Sequence, residues 1–346
     1  MQRLTIIRPD DWHVHLRDDT VLRAVLPDTA RRFSRAVVMP NIDPPVRTVE
    51  EARAYRDRIL AALPADLSFE PLMTLYLTDH TVPAEIVRAK QSGFVHAVKY
   101  YPAGATTHSE HGVTDLRRMR HVIAEMESCG LPLLLHGEVT DPGVDIFDRE
   151  AVFVERHLGL LTRSFPHLRM VFEHVTTKEG VTFVEQAGPN VAATITAHHL
   201  LFNRNSLLAG GLRPHVYCSP VLKRETHRRA LVAAATGGNP KFFLGTDSAP
   251  HSRRAKEAPC GCAGIYTAHA ALELYAEAFD QVGALDRLEG FASCYGPDFY
   301  RLPRNRDTVT LVKEPSYVSM EIAVGEDSVV PLRAGETVPW KLATGD

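Results

Sequence analysis

Two short stretches of the sequence, LPLLLH at residues 131–136 and LRMVFEH at residues 168–174, decide which fold we expect. Each is a largely apolar run that ends in a histidine. A strand that is buried on both faces has this pattern, whereas a strand with one solvated face alternates apolar and polar residues. The two stretches therefore predict strands of a parallel sheet that is covered by helices.

The same alternation of short apolar runs and longer amphipathic segments extends along most of the chain. Strands are predicted at residues 4–7 continuing through 12–16, 36–39, 72–77, 95–100, 133–136, 169–174, 191–197 and 242–246. Helices are predicted at residues 49–63, 83–92, 115–129, 147–164, 178–187, 223–235, 266–279 and 285–295. This pattern favours a (β/α)8 TIM barrel, although periodicity alone leaves an open doubly wound sheet possible. We expect one domain over residues 1–346, with a short C-terminal extension from about residue 303.

The composition excludes several classes of function. The 346 residues carry 39 Lys and Arg against 42 Asp and Glu, which gives a formal net charge of −3. Binding to nucleic acid or to an anionic membrane needs a basic face, so neither partner is expected. No apolar run approaches the ~18 residues of a transmembrane helix, and the first residues lack the apolar core of a secretion signal. The five cysteines form no regular framework, which favours reduced thiols and a cytoplasmic protein.

The predicted strand ends carry side chains that can bind metal ions. In a (β/α)8 barrel the active site lies at the C-terminal ends of the strands. His13 and His15 are two residues apart on the first strand, so both imidazoles face the same side and can reach one cation. Four further side chains stand at the ends of later strands: Lys99, His136, His174 and Asp247. This coincidence of position favours a metal centre over incidental histidines.

Lys99 is an unusual companion for such ligands, because a free ammonium is repelled by divalent cations. A neutral lysine amine that adds carbon dioxide becomes a carbamate, which is an anion that can bridge two metals. Carbamate, Asp247 and a bridging hydroxide would leave two divalent cations with about one uncompensated positive charge, which suits an anionic substrate. The alternative is a lysine that pairs with a carboxylate at the barrel mouth, and the nearby histidines favour the carbamate.

The order of these residues along the strands resembles the binuclear amidohydrolase superfamily, and the detailed motifs are closer still to the dihydroorotases of the short, single-domain bacterial type. The matching blocks, in order from about residue 8 to residue 300, are DWHVHLRD, VVMPN, AVKYYPAGATT, LLLHGE, FEHVTT, GLRPHVYC, LKRETHR, FLGTDSAPH and CGCAG. Their joint occurrence in this order is highly specific. Longer relatives build a flanking small β domain from a long lead-in, for which this chain has no room.

The resemblance implies a set of cofactors. Each subunit of a homodimer would hold two Zn²⁺ ions, bridged by N6-carboxylated Lys99 and by a hydroxide. The ligands of the more buried ion would be His13, His15 and Asp247. The ligands of the second ion would be His136 and His174.

The resemblance also implies a reaction, since dihydroorotases interconvert N-carbamoyl-L-aspartate and L-dihydroorotate in pyrimidine biosynthesis. Asp247 would be the catalytic acid and base. The substrate contacts would be His15, Arg17, Asn41, Thr106, Thr107, His136, Ser219, His251 and Ala263. Arg17 is two residues beyond His15, and a guanidinium holds a carboxylate through two parallel bonds.

The remaining contacts would divide between the two ends of the substrate. Asn41 and His251 would complete the contacts to the exocyclic carboxylate. Main-chain groups at Ser219 and Ala263 would hold the amide edge of the ring. The hydroxyls of Thr106 and Thr107 would reach the bound substrate from a lid loop at residues 103–112.

Two other functions remain open from the sequence. A hydantoinase or allantoinase would act on a ring that needs neither Arg17 nor His251. A catalytically silent subunit would serve only as a scaffold and would be expected to lack metal ligands, yet all six ligand positions are present.

Overall fold

The computed structural model describes residues 2–343, and eight strands of this part form one parallel sheet. Strand β1, Arg3–Ile7, lies outside that sheet. The eight strands adjoin one another in chain order as β2 Asp11–Val14, β3 Arg35–Val38, β4 Glu70–Leu77, β5 Val95–Tyr100, β6 Leu133–Leu135, β7 Met170–Phe172, β8 Val191–Ile195 and β9 Phe242–Leu244.

The sheet closes into a barrel where the chain after β9 meets β2. The amide of Asp247 donates to the carbonyl of His13 at 2.8 Å, and the amide of His15 donates to the carbonyl of Ser248 at 3.0 Å. This closure confirms the predicted (β/α)8 barrel and excludes the open doubly wound sheet.

Helices cover the outside of the barrel. Their bounds are α1 Asp19–Arg32, α2 Val49–Ala62, α3 Pro83–Ser92, α4 Arg120–Cys129, α5 Arg149–Phe153, α6 Gly159–Ser164, α7 Lys178–Gln186, α8 Ala197–Leu201, α9 Asn205–Leu208, α10 Glu225–Thr236, α11 Arg253–Lys256, α12 Ala271–Asp280 and α13 Tyr295–Tyr300. Helix α1 was not predicted, because Pro27 lies in its interior and proline disrupts the hydrogen bonding of a helix. The single helix predicted at residues 147–164 is α5 and α6 joined by a π-helical turn, Val154–Leu158.

The N-terminal strand differs from the prediction. Residues 4–7 and 12–16 were expected to form one strand, but Pro9 and its neighbours separate β1 from β2. β1 instead pairs antiparallel with β10, Thr308–Val312, which also pairs with β15, Lys341–Leu342. Four more short strands of the extension pair as β11 Ser316–Tyr317 with β14 Thr337–Val338, and β12 Ile322–Val324 with β13 Asp327–Val329. The chain therefore does carry a small flanking sheet, which its short lead-in did not suggest, because most of the strands come from the C-terminal extension.

An apolar core fills the barrel below its C-terminal mouth. Each barrel strand contributes to this core, and the side chain of Trp12 stacks on Tyr300 of α13 with ring centroids 4.3 Å apart. Polar side chains of the strands are consequently concentrated at the mouth. Within residues 2–343, no helix is long and apolar enough to cross a membrane.

Candidate metal centre and substrate pocket

The side chains singled out in the sequence gather at the C-terminal mouth of the barrel, around a small pocket. The predicted site residues that line it are His13, His15, Arg17, Asn41, Thr106, Thr107, His136, His174, Ser219, Asp247 and Ala263. Lys99 is fully buried and does not line the pocket. His251 also lies outside the lining but contacts the guanidinium of Arg17. The fold thus brings all of the predicted residues to one end of the barrel.

Three donor atoms lie at the mutual distances that one metal ion requires. The Nε2 atoms of His13 and His15 are 3.3 Å apart, and Oδ1 of Asp247 lies 3.3 Å from the first and 3.1 Å from the second. Ligands about 2.0–2.1 Å from a tetrahedral zinc ion stand about 3.3 Å from one another. The three side chains are nearly inaccessible to solvent, so this donor group is arranged as a ligand set.

His136 and His174 lie next to this group. Their ring centroids are 4.9 Å apart, and the ring of His174 is 5.1 Å from that of His13. Nδ1 of His174 and Nδ1 of His15 are buried without a hydrogen-bond partner among the described residues. Buried polar atoms are normally paired, so unpaired ring nitrogens in a cluster of histidines fit a site built to hold cations.

Lys99 is paired with a carboxylate that the sequence interpretation did not single out. Its ammonium contacts the Glu173 carboxylate, and both side chains are completely buried. Burial lowers the pKa of Lys99, and the charge of Glu173 opposes that shift. As an unmodified lysine it therefore makes the ion pair that the sequence left open as the alternative to a carbamate.

The charges around His13 favour a cation at this point of the site. Its Nδ1 lies 3.1 Å from Oε1 of Glu173, while Nε2 faces Asp247. Burial alone would lower the pKa of His13, but the two carboxylates outweigh it and raise the pKa to about 9. Burial and then the charge of Arg17 lower the pKa of His15 to about 3, which leaves a neutral imidazole. The same negative charge would favour a metal cation that takes the place of the proton.

Three site residues have a left-handed backbone. The φ angles are +57° for Arg17, +41° for His174 and +45° for Asp247. Such a conformation costs a non-glycine residue about 1–3 kcal/mol and is concentrated at functional sites. Hydrogen bonds hold two of these positions, since Thr194 Oγ1 accepts from the amide of His174 at 2.8 Å and the carbonyl of His13 accepts from the amide of Asp247 at 2.8 Å.

Arg17 and His251 form the side of the pocket where a carboxylate is expected. Nε of Arg17 donates to the carbonyl of Pro250 at 3.1 Å, and Nη2 lies 2.9 Å from Nε2 of His251. Nη1 is buried without a partner among the described residues. A guanidinium with one free, buried donor can accept an anion without losing its other contacts.

The loop predicted as a lid lies over the pocket. The hydroxyl of Thr107 contacts both main-chain groups of Ala263, at 3.2 Å from its nitrogen and 3.4 Å from its oxygen. Nδ2 of Asn41 donates to the carbonyl of Thr107 at 3.3 Å, and Oγ of Ser219 donates to the carbonyl of Ala105 at 3.3 Å. The loop therefore contacts three of the residues expected to bind substrate.

A buried carboxylate beside the first donor group was missed in the sequence. Asp11 accepts hydrogen bonds from the amide of His13 at 3.1 Å and from the amide and hydroxyl of Thr246 at 2.9 and 2.6 Å. It thereby joins β2 to the chain that follows β9 and fixes the backbone next to the donor group. The signal for it was present, since Asp11 opens the DWHVH motif.

Glu138 is another buried carboxylate that the sequence analysis did not name. One of its carboxylate oxygens lies 2.8 Å from Nε2 of His136 and 3.0 Å from Oγ of Ser219. It follows His136 within the HGE motif, just as Glu173 precedes His174 in the FEH motif. A titratable residue next to a predicted ligand was therefore the signal that was available.

Comparisons with known proteins agree with this geometry. The chain matches the model of the Amidohydrolase family over residues 5–322. A curated relative named dihydroorotase, from Nitrosococcus oceani, is 64% identical over 340 residues, which are 98% of this chain and 99% of the relative. The crystal structure of a dihydroorotase from Campylobacter jejuni gives a TM-score of 0.91 at 34% identity and covers 99% of this chain and 98% of that one. A dihydroorotase from Saccharomyces cerevisiae, crystallised with 5-fluoroorotic acid, gives 0.90 at 32% identity and covers 99% of both chains.

Proposed function

The chain belongs to the amidohydrolase family and, within it, to the dihydroorotases, and from this premise we propose how its residues share the reaction. The reaction is the reversible ring closure of N-carbamoyl-L-aspartate to L-dihydroorotate and water in pyrimidine biosynthesis. One observation carries the residue assignments: three donor atoms 3.1–3.3 Å apart lie in the same pocket as the guanidinium of Arg17. A metal site beside an anion site fits a cyclic amide that carries a carboxylate.

We propose that the mouth of the barrel holds two zinc ions. Such ions would activate water and polarise the ring carbonyl at neutral pH. The ligands of the first ion would be His13, His15 and Asp247. Those of the second would be His136 and His174. Lys99, converted to its carbamate and released from Glu173, would bridge them. The donor spacing, the unpaired ring nitrogens and the carboxylates around His13 support this proposal.

Arg17 would orient the substrate through its carboxylate. Its free Nη1 would donate to one carboxylate oxygen, and Nη2, which now contacts His251, would share the other. Asn41 would add a donor once its amide nitrogen leaves the carbonyl of Thr107. These contacts would place the scissile amide beside Asp247, because Arg17, Asn41 and Asp247 line the same pocket.

Asp247 would move the proton. Burial alone would raise the pKa of this carboxyl, but the charge and hydrogen bond of His13 and the hydrogen bond of His15 hold it well below its usual range. The group is therefore an anion, and in the proposed reaction it would accept the proton of the attacking water and deliver it to the departing ring nitrogen. Ring closure would use the same residue as the acid. The lid would exclude bulk water during both steps.

The decisive test is an assay of the purified, zinc-loaded protein with L-dihydroorotate, followed by the loss of ultraviolet absorbance. Ring opening is expected for the wild type and for Lys90→Ala, an exposed lysine that serves as the control. Lys99→Ala should lose both activity and zinc, the latter measured by plasma emission. No turnover by folded, zinc-loaded wild type would overturn the assignment.

The pH dependence of the equilibrium identifies the reaction independently. Ring opening creates a second carboxylate and releases a proton, so higher pH favours N-carbamoyl-L-aspartate. The ratio of open to closed product is expected to rise about tenfold for each pH unit. Hydantoin, which lacks an exocyclic carboxylate, should be a poor substrate because it leaves Arg17 unpaired.

We also propose that the protein is a cytoplasmic homodimer. All five cysteines are free, which is consistent with a reducing compartment. Sedimentation equilibrium of the zinc-loaded protein should give twice the chain mass, and a monomer would contradict the proposal.

A further inference from the structure

Lys256 is a buried cation that no carboxylate neutralises among the described residues. It ends helix α11, and its side chain is 4% exposed. Nζ donates to the carbonyls of Tyr217 at 2.8 Å, Cys262 at 2.8 Å and Gly264 at 2.7 Å. Burial lowers its pKa to about 8, so at neutral pH the group is an ammonium whose three N–H donors each have one acceptor. A charge without an ionic partner is costly to bury, so this arrangement calls for a reason beyond packing.

The three acceptors belong to the two backbone segments that form one wall of the pocket. Tyr217 lies two residues before Ser219, while Cys262 and Gly264 flank Ala263. The amide of Gly264 also donates to the carbonyl of Tyr217 at 3.0 Å, so the segments are joined directly as well as through Lys256. Lys256 itself does not line the pocket.

The backbone segment that contains Ala263 cannot shift independently of its neighbours. Gly264 has a φ of +150°, and a Cβ added there would lie 2.7 Å from the carbonyl oxygen of Ala249 and 2.8 Å from the ring of His251. Helix α11 begins directly after His251 and Ser252. Lys256, which ends this helix, is therefore connected through the chain to His251 on the carboxylate side of the pocket. The position of Ala263 therefore depends on a few fixed contacts, of which Lys256 makes two.

We propose that Lys256 is a positioning residue that sets the separation of the Ser219 and Ala263 segments and thereby fixes the affinity for the cyclic substrate. This inference rests on the proposed function, in which main-chain groups of these segments hold the amide edge of the ring. Without the ammonium, three carbonyls would turn toward other donors, and the two segments would lose their common anchor. Substrate binding would then weaken, whereas the groups that move the proton would remain in place.

The chain offers a matched control. Nζ of Lys241 also donates to three carbonyls, those of Val184 at 3.1 Å, Glu185 at 3.2 Å and Ala187. It precedes β9, so it lies at the end of the barrel opposite the pocket. Replacing it removes the same kind of contact without touching the substrate-binding wall.

The experiment compares Lys256→Met with Lys241→Met in the zinc-loaded, full-length protein, using L-dihydroorotate. Lys256→Met is expected to raise KM about tenfold and to change kcat by less than about threefold, since misplaced hydrogen-bonding groups weaken binding of the ring. Lys241→Met should leave both constants unchanged, while thermal unfolding shows whether the two variants lose comparable stability. Lys256→Arg, which keeps a charged donor, should recover part of the affinity.

An unchanged KM in Lys256→Met, or an equal rise in both methionine variants, overturns the inference. If Lys256→Met does not fold, Lys256→Arg takes its place, because a planar guanidinium cannot reproduce three converging ammonium bonds and KM must still rise. Absence of turnover by the wild type would instead contradict the proposed function. Wild-type turnover combined with an unchanged KM in the variants contradicts only the role of Lys256.

Discussion

Replacement of Arg17 by methionine tests the carboxylate side of the pocket quantitatively. Two nitrogens of the guanidinium already have partners, the carbonyl of Pro250 and the ring of His251, and only Nη1 has no partner within residues 2–343. The substrate carboxylate is thus expected to accept one full hydrogen bond from Nη1 and to share Nη2 with His251. A hydrogen bond that involves charged groups contributes about 1.5–3 kcal/mol. Arg17→Met should therefore cost about 2–4 kcal/mol, which corresponds to a loss of about 30- to 1,000-fold in kcat/KM for L-dihydroorotate.

The assay needs a control for charge and a control for substrate. Arg58→Met removes the same charge from an exposed ion pair with Asp18, the neighbour of Arg17, where the two side chains are 2.7 Å apart. Its kcat/KM is expected to change by less than about twofold. The uncharged ring 5,6-dihydrouracil lacks the carboxylate, so Arg17→Met should change its kcat/KM by less than about threefold. Equal losses for both rings, or a loss below about threefold for L-dihydroorotate, would refute the reasoning.

Three further outcomes follow from the same structure. His13→Ala removes one donor of the closely spaced group, so the zinc content per chain is expected to fall by about half or more in elemental analysis, and His121→Ala, which changes an exposed helical histidine, should keep its metal. Equal zinc in both variants would argue against His13 as a ligand. Joint replacement of Thr106 and Thr107 by alanine should lower turnover much more than zinc content, because the Thr107 hydroxyl holds the lid against the opposite wall, and unchanged turnover would remove the role of the lid. His198 is fully buried, and burial lowers its pKa to about 4, so below about pH 6.5 only the unfolded chain takes up its proton. The stability that this residue contributes above that pH is lost as the pH falls toward 4, by about 2–3 kcal/mol at about pH 4.5. His198→Gln should flatten the dependence of urea-unfolding midpoints on pH over this range, and an unchanged slope would contradict the argument.

Much of the barrel could be predicted because strands buried on both faces and helices with one apolar face leave different periodicities in the sequence. The errors lie where a local rule was overridden by packing. Helix α1 was not predicted because of Pro27, although its apolar side chains pack into the core against the sheet. Strand β1 looked continuous with β2, yet its partner is Thr308–Val312, some three hundred positions later in the chain.

The residues of the candidate site could be named because parallel strands end at the same edge of a barrel. His13, His136 and Asp247 were therefore expected together without any knowledge of their contacts. Glu173 and Lys256 were not named, because their sequence positions do not show that Glu173 contacts Lys99 or that Lys256 contacts the carbonyl of Tyr217. The role of a buried charged residue is identified from the groups that contact it, and these contacts are known only from the tertiary structure.

The sequence by itself determined the order of the eight barrel strands, the set of donor side chains at the strand ends and the chemistry that those donors permit, because these depend on residue type and spacing. Only the tertiary structure decided that the barrel closes between His13 and Asp247, that three donor atoms lie 3.1–3.3 Å apart and that Lys256 joins Tyr217 to Gly264. Apart from the spacing of His13 and His15, these features are distances between residues that are remote along the chain. Distances of that kind are fixed by the packing of the whole core and by the pairing of buried polar groups, neither of which is written in any local stretch of sequence.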